Sequence, residues 1–171
     1  MCKENQKIRE RNYAKIYDWL KNIPYKKEIV DYCIAVIEKV SPDCIILYGS
    51  LAKNTYSNRS DVDIIVISNN FQESFLDRIG LLLDLDKTRA PIEPLGYTTE
   101  EFENMLDSFR VTALDAIYDG IPLWGEEYFN SLKKQLDLFL SKGLHRTKYA
   151  WDYRKIMEYG HIKHITKITE E

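Results

Sequence analysis

Residues 44–67 constrain this chain more than any other stretch. Cys44-Ile45-Ile46-Leu47-Tyr48 is a short continuous apolar run rich in β-branched residues, which predicts a strand buried on both faces. Gly49-Ser50 interrupts it, and the polar residues 51–60 predict a turn or a short helix. Asp61-Val62-Asp63-Ile64-Ile65-Val66-Ile67 predicts a second strand that opens on Asp-x-Asp. Strand residues two apart face the same side, with α-carbons ~6.5–7 Å apart, so both carboxylates can face one pocket. Two like charges beside an apolar run are costly unless a cation neutralises them. Hard carboxylate oxygens without His or Cys select Mg2+ or Mn2+ over zinc. Upstream, Gly49 permits close backbone approach, and N–H groups at a helix start together with the Ser50 hydroxyl suit a phosphate oxygen. Gly-Ser alone is an ordinary turn, and Asp-x-Asp alone an ordinary strand-edge pair. Their conjunction, with a ten-residue spacer between two apolar strands, is the informative feature.

The flanking pattern predicts helices at 3–22 (Ile8, Ile16, Trp19, Leu20) and 25–40 (Ile29, Val30, Cys33, Ile34, Val36, Ile37), the second stopped by Ser41-Pro42-Asp43. An amphipathic helix is expected over 71–85. A strand over Pro91 to Tyr97 carries two prolines and is therefore placed at a sheet edge. Thr98 and Glu101 form a capping box before a helix expected to run on to Tyr118. Ile121 to Trp124 reads as extended, and Glu126 to Lys142 as a helix stopped by Gly143. Residues 144–171 are aromatic and basic, and the stretch from Gly143 to Arg154 is compatible with a β-hairpin or a final helix. The expected class is α/β (α+β): a small mixed sheet flanked by helices, with extra helical segments at both ends. The expected division is an extension at 1–27, a domain at 28–125, and a helix with a tail at 126–171.

Charge narrows the partners. Residues 1–39 carry 9 basic and 6 acidic groups, residues 40–141 carry 8 and 17, and residues 142–171 carry 7 and 4. An acidic middle between mildly basic ends lacks the concentrated basic surface of a nucleic-acid binder, so no specific nucleic-acid binding is expected. No apolar stretch approaches the ~18–20 residues of a membrane span, and residues 1–6 lack the apolar core of a secretory signal. Three unpatterned cysteines (Cys2, Cys33, Cys44) point to a reducing, cytoplasmic setting.

The motif resembles that of the minimal nucleotidyltransferases in the DNA polymerase β-like superfamily: Gly-Ser-x-Ala-(Arg/Lys)-Gly, five residues, then Ser-Asp-x-Asp before an apolar strand. Gly49, Ser50, Ala52, Lys53, Ser60, Asp61 and Asp63 fall in register, over a region judged to span about 28–125. Asn54 stands where the family has Gly, and Asn tolerates a left-handed backbone. The resemblance implies the polymerase β-like fold and a third carboxylate on a neighbouring strand. Glu93 is the candidate, with Asp84 and Asp86 as alternatives. It further implies that Asp61, Asp63 and Glu93 hold Mg2+ (or Mn2+), and that Gly49, Ser50, Lys53 and Ser60 bind the nucleotide. Arg59, Lys87 and Arg89 are further triphosphate partners to consider.

The activity so implied is transfer of a nucleoside monophosphate, AMP first, from ATP or another NTP to a hydroxyl. A partner protein such as a HEPN-type toxin is the expected acceptor, which would make the chain an antitoxin. An aminoglycoside or other small-molecule acceptor is one alternative. A non-catalytic partner-binding role on the same scaffold is another. His161 and His164, spaced i,i+3, and Arg154 with His161, in a loose Arg-x(4–6)-His pattern, read as coincidences of composition.

Overall fold

The computed structural model describes residues 11–157 apart from 15, 19, 21, 22, 72, 73 and 149. Helical residues 11–14 and 16–18 (α1) lead to α2 (Lys26–Val40), β1 (Cys44–Leu47), the one-turn α3 (Gly49–Ala52) and β2 (Val62–Ile67). Then follow α4 (Phe75–Leu85), β3 (Ile92–Tyr97), α5 (Thr99–Asp107), α6 (Val111–Tyr118), β4 (Ile121–Trp124) and α7 (Glu126–Ser141). A two-stranded ribbon, β5 (His145–Arg146) and β6 (Trp151–Asp152), follows α7.

Four strands form one mixed sheet in the order β3-β2-β1-β4. β1 runs antiparallel to both β2 and β4, while β2 and β3 are parallel. Parallel neighbours need a crossover, and α4 supplies it. Period-two alternation sends β1 and β2 side chains into two separate cores. Ile45, Leu47, Val62, Ile64 and Val66 pack with Ile29, Val30 and Cys33 of α2 and Leu82 of α4. Cys44, Ile46, Ile65 and Ile67 pack on the other face with Phe102, Leu114, Ile117, Leu132 and Leu136 of α5, α6 and α7. Covering both faces explains why these strands read as unbroken apolar runs rather than alternating ones. Each fully buried Ile or Leu contributes about 1.5–3 kcal/mol by leaving water.

The edge position of β3 agrees with its prolines: Pro94 has no N–H to donate and sits opposite Ile64 on a strand with one open side. The capping box forms as expected, with Glu101 N–H donating to Thr98 Oγ1 and Thr98 N–H donating to Glu101 Oε2.

Two expectations need correction, and one open alternative is decided. The helix from Thr98 does not run on to Tyr118. It ends at Asp107, and Phe109 takes φ 54°, a left-handed conformation that turns the chain into α6. Burial sets that break, since the Phe109 ring meets Phe139 edge-on at 5.3 Å and stacks on Tyr153 at 6.2 Å. The crossover helix begins at Phe75 rather than 71, because Ser74 caps it by accepting from Asp77 N–H, while Phe71 is buried ahead of it. Finally, of the two options for the C-terminal segment, the hairpin forms, with His145 and Arg146 paired to Asp152 and Trp151, and one helical turn follows at 154–157. Ile8, Trp19, His161 and His164 lie outside the described residues.

Candidate active site

The site begins where β1 ends. Tyr48 N–H donates to the carbonyl of Asp63 at 3.0 Å, so the antiparallel ladder carries the Gly49-Ser50 turn directly alongside the second aspartate. Gly49 opens α3 with φ 70°. A Cβ there would stand 2.1 Å from Asp63 Oδ2, so only glycine lets the turn lie against this carboxylate. Ser50 follows on the first turn of α3. Asn54 adopts φ 54°, the left-handed conformation for which its place in the motif asks.

The spacer is a built turn. Ser57 N–H donates to Ser60 Oγ at 2.8 Å, Ser60 N–H donates to the Ser57 carbonyl at 3.1 Å, and Arg59 N–H donates to Ser57 Oγ at 3.3 Å. Ser60 therefore fixes the entry of the chain into β2. Val62 N–H donates to the Pro91 carbonyl at 2.8 Å, which locks the start of β2 to the approach to β3.

This register brings the carboxylates together. Asp63 pairs with Glu93 across the parallel strands. Paired residues of parallel neighbours project on one face, here the face shared by Ile65, Ile67, Leu95 and Tyr97. Asp61 is two residues earlier on the same side and exposed. Partial burial, then the charges of Glu93 and Asp61, raise the Asp63 carboxyl above its ordinary value, with Lys53 opposing. Asp84 lies in the last turn of α4, and Asp86 caps its end, accepting from Thr88 N–H at 2.8 Å. Neither is among the groups acting on Asp63.

Asp63 and Glu93 line a cleft of about 440 Å³ with Tyr48, Ile79, Leu83, Ile92, Pro94 and Leu95. The Tyr48 hydroxyl is pushed up to about 12 by burial and by Asp63, Tyr97 and Glu93, so it stays protonated and can donate into an acidic cleft. Among the described residues no three His, Cys, Asp or Glu side chains are gathered tightly enough to hold an ion. The donors present are nevertheless hard oxygens, and Asp63 bears the like-charge repulsion that a divalent cation relieves. Donors of that kind suit Mg2+ or Mn2+ rather than a softer metal, and Asp63, Glu93 and Asp61 are the residues here that could hold one.

Lys53 caps α3, with Nζ 4.0 Å from Asp115 Oδ2 of α6. Arg59, Lys87 and Arg89 are exposed, in segments leading into β2 and β3 at the carboxylate end of the sheet. Sequence reasoning missed Tyr48 and Asp115. Adjacency to Gly49 could have signalled Tyr48. Asp115 sits on a distant helix and has no local signal.

Residues 31–99 match the family model described as polymerase beta, nucleotidyltransferase, about two fifths of the chain. The match contains β1, the Gly-Ser turn, Asp-x-Asp and Glu93. Over this segment the chain is similar to nucleotidyltransferase domains of the polymerase beta type. The mixed sheet flanked by helices is its architecture.

Two solved structures are similar over part of the chain. One is a candidate nucleotidyltransferase from Sulfolobus solfataricus, 17% identical over 60% of this chain and 86% of that one, with a TM-score of 0.39. The other is a toxin–antitoxin structure with AMP-PNP, 18% identical over 64% of this chain and 85% of that one, with a TM-score of 0.43. A search of curated proteins found no significant match. Among the described residues no helix is long and apolar enough to cross a membrane.

Proposed function

We propose that the domain transfers a nucleoside monophosphate, AMP from ATP in the first instance, to a hydroxyl acceptor with Mg2+ or Mn2+ as cofactor. The observation that carries this reading is the pairing of Asp63 with Glu93 on one face, directly beside the Gly49 turn. Asp61 and Asp63 are the proposed metal ligands on the triphosphate side, with Glu93 completing the acidic set. A divalent cation held by these residues would supply positive charge against the negative charge that develops during transfer. Gly49 and Ser50 are proposed to receive the β- and γ-phosphates through backbone N–H and hydroxyl groups, with Lys53 adding positive charge and Ser60 holding the loop. Glu93 takes the proton from the acceptor hydroxyl. The hydroxyl oxygen then bonds to the α-phosphorus as the bond to the bridging oxygen breaks and pyrophosphate leaves. Tyr48 keeps its proton throughout and orients groups in the cleft by donation.

The proposed acceptor is a protein hydroxyl, with a HEPN-type partner first to be tried, in line with the resemblance to minimal nucleotidyltransferases. The test is incubation with α-labelled ATP, Mg2+ and the product of a neighbouring gene. Label is expected on that partner, and Asp61→Asn or Asp63→Asn should reduce it at least about a hundredfold. Stable complex formation without label, indifferent to both substitutions, would replace the enzyme with a binding scaffold. Label appearing on an aminoglycoside instead would move the acceptor to small molecules.

A further inference from the structure

Asp115 joins two parts of the molecule that are remote in sequence. Its Oδ1 accepts from Arg146 Nη1 at 2.5 Å and from Trp151 Nε1 at 2.7 Å, one donor from each strand of the C-terminal hairpin. With Oδ1 so occupied, Oδ2 is turned to Lys53 Nζ at 4.0 Å. Lys53 in turn acts electrostatically on Asp63. The two hairpin donors differ in kind. Arg146 also reaches Asp119 Oδ2 at 3.4 Å and lies over the rings of Trp151 and Tyr118, so several contacts fix it. Trp151 is buried and meets Tyr118 edge-on at 5.2 Å. The two strands of the hairpin therefore each place a donor on one oxygen of Asp115, and the other oxygen is left to face a lysine of the nucleotide motif. The side chains of Lys53, Asp115 and Arg146 are between 24% and 32% exposed, so their charges are only partly screened.

We infer that Asp115 is a positioning residue for nucleotide binding: held by Arg146 and Trp151, it directs the Lys53 ammonium toward the triphosphate side of the Asp63 cleft. This makes the β5–β6 hairpin, which lies outside the matched family segment, part of the nucleotide site. The inference rests on the proposed function, because it assigns Lys53 to the triphosphate.

Asp115→Asn separates this role from a structural one. Its Oδ1 can still accept from Trp151, while the charge that orients Lys53 is gone. The probe is α,β-methylene-ATP with Mg2+, titrated calorimetrically into the full chain. A partly screened ion pair of this kind predicts that Asp115→Asn weakens binding about two- to fivefold. Lys53→Met should weaken it at least as much, and the double variant should bind no worse than Lys53→Met alone. Asp119→Asn contacts Arg146 without facing Lys53 and should bind as wild type, and Asp115→Glu should restore most of the affinity. Should Asp115→Asn fail to fold, Trp151→Phe replaces it, with about a twofold loss expected.

The inference is overturned if Asp115→Asn binds as wild type, if its effect simply adds to that of Lys53→Met, or if Asp119→Asn weakens binding equally. Wild-type protein that does not bind the analogue at all overturns the proposed function itself. A difference between wild type and Lys53→Met with none for Asp115→Asn overturns this inference alone.

Discussion

Glu93 lies opposite Asp63 in the parallel register of β2 and β3, and both face the side of the sheet covered by α5, α6 and α7. The pair is brought together by a strand order in which β3 joins the free edge of β2. Its cost is visible in the Asp63 carboxyl, which burial and the neighbouring acids hold above the ordinary 3.8. A carboxyl raised in the folded state holds its proton there more tightly than in the unfolded chain. Its penalty is therefore absent below pH 3.8, grows as pH rises through the folded-state value, and is constant above it.

Removing that ionised group should stabilise the metal-free protein. In EDTA at pH 7, Asp63→Asn is expected to melt about 1–3 °C higher than wild type. The gain should vanish toward pH 3. Adding Mg2+ should raise the melting temperature of wild type and leave Asp63→Asn unmoved, because only a native state that binds the ion gains from it. Differential scanning calorimetry at the two pH values, with and without Mg2+, checks both statements.

Two glycines make opposite predictions. Gly49→Ala forces a Cβ into the Asp63 carboxylate and strains a left-handed backbone, so it should cost about 1–3 kcal/mol and abolish transfer. Gly80→Ala meets nothing within 4 Å on the exposed side of α4, and should stabilise by about 0.5–1 kcal/mol with activity unchanged. Urea titrations with a transfer assay report on both.

Arg78 is 7% exposed, and its Nη1 donates to Glu101 Oε2 at 2.5 Å. That bond from Arg78, helped by Thr98, holds the Glu101 carboxyl below its ordinary 4.5. The stability it contributes is present above pH 4.5 and is lost as pH falls through the lower folded-state value. Glu101→Gln should therefore cost about 1–2 kcal/mol at pH 7, the low end for a charged hydrogen bond because Glu101 is half in water. The difference from wild type should shrink in acid. Equal cost at pH 7 and pH 3 would show that only the shape of the side chain matters.

Cys33 and Cys44 are free and buried, and burial raises both thiols, Cys44 to about 12. Neither should react with an aromatic disulfide reagent in the native protein. Both should label at the rate of global unfolding, and peptide mapping after a timed pulse distinguishes them from Cys2.

The linear motif was legible because its chemistry is local. A strand ending in Gly-Ser and a strand opening on Asp-x-Asp show their period and their breakers within twenty residues. The capping box at Thr98 is equally local, and so is the edge placement of a strand carrying Pro94. The break at Phe109 was not legible: a phenylalanine accepts φ 54° there because Phe139 and Tyr153, thirty or more residues away, bury its ring. Asp115 was hidden for the same reason, since its partners Lys53, Arg146 and Trp151 come from three separate segments.

Sequence alone determined the two core strands, the acidic dyad and the glycine turn, because these depend on periodicity and on backbone chemistry between near neighbours. The tertiary structure decided which further carboxylate meets Asp63, what orients Lys53, and where the long helix breaks. Those outcomes depend on strand order and on the burial of side chains distant in the chain, and no local pattern encodes either.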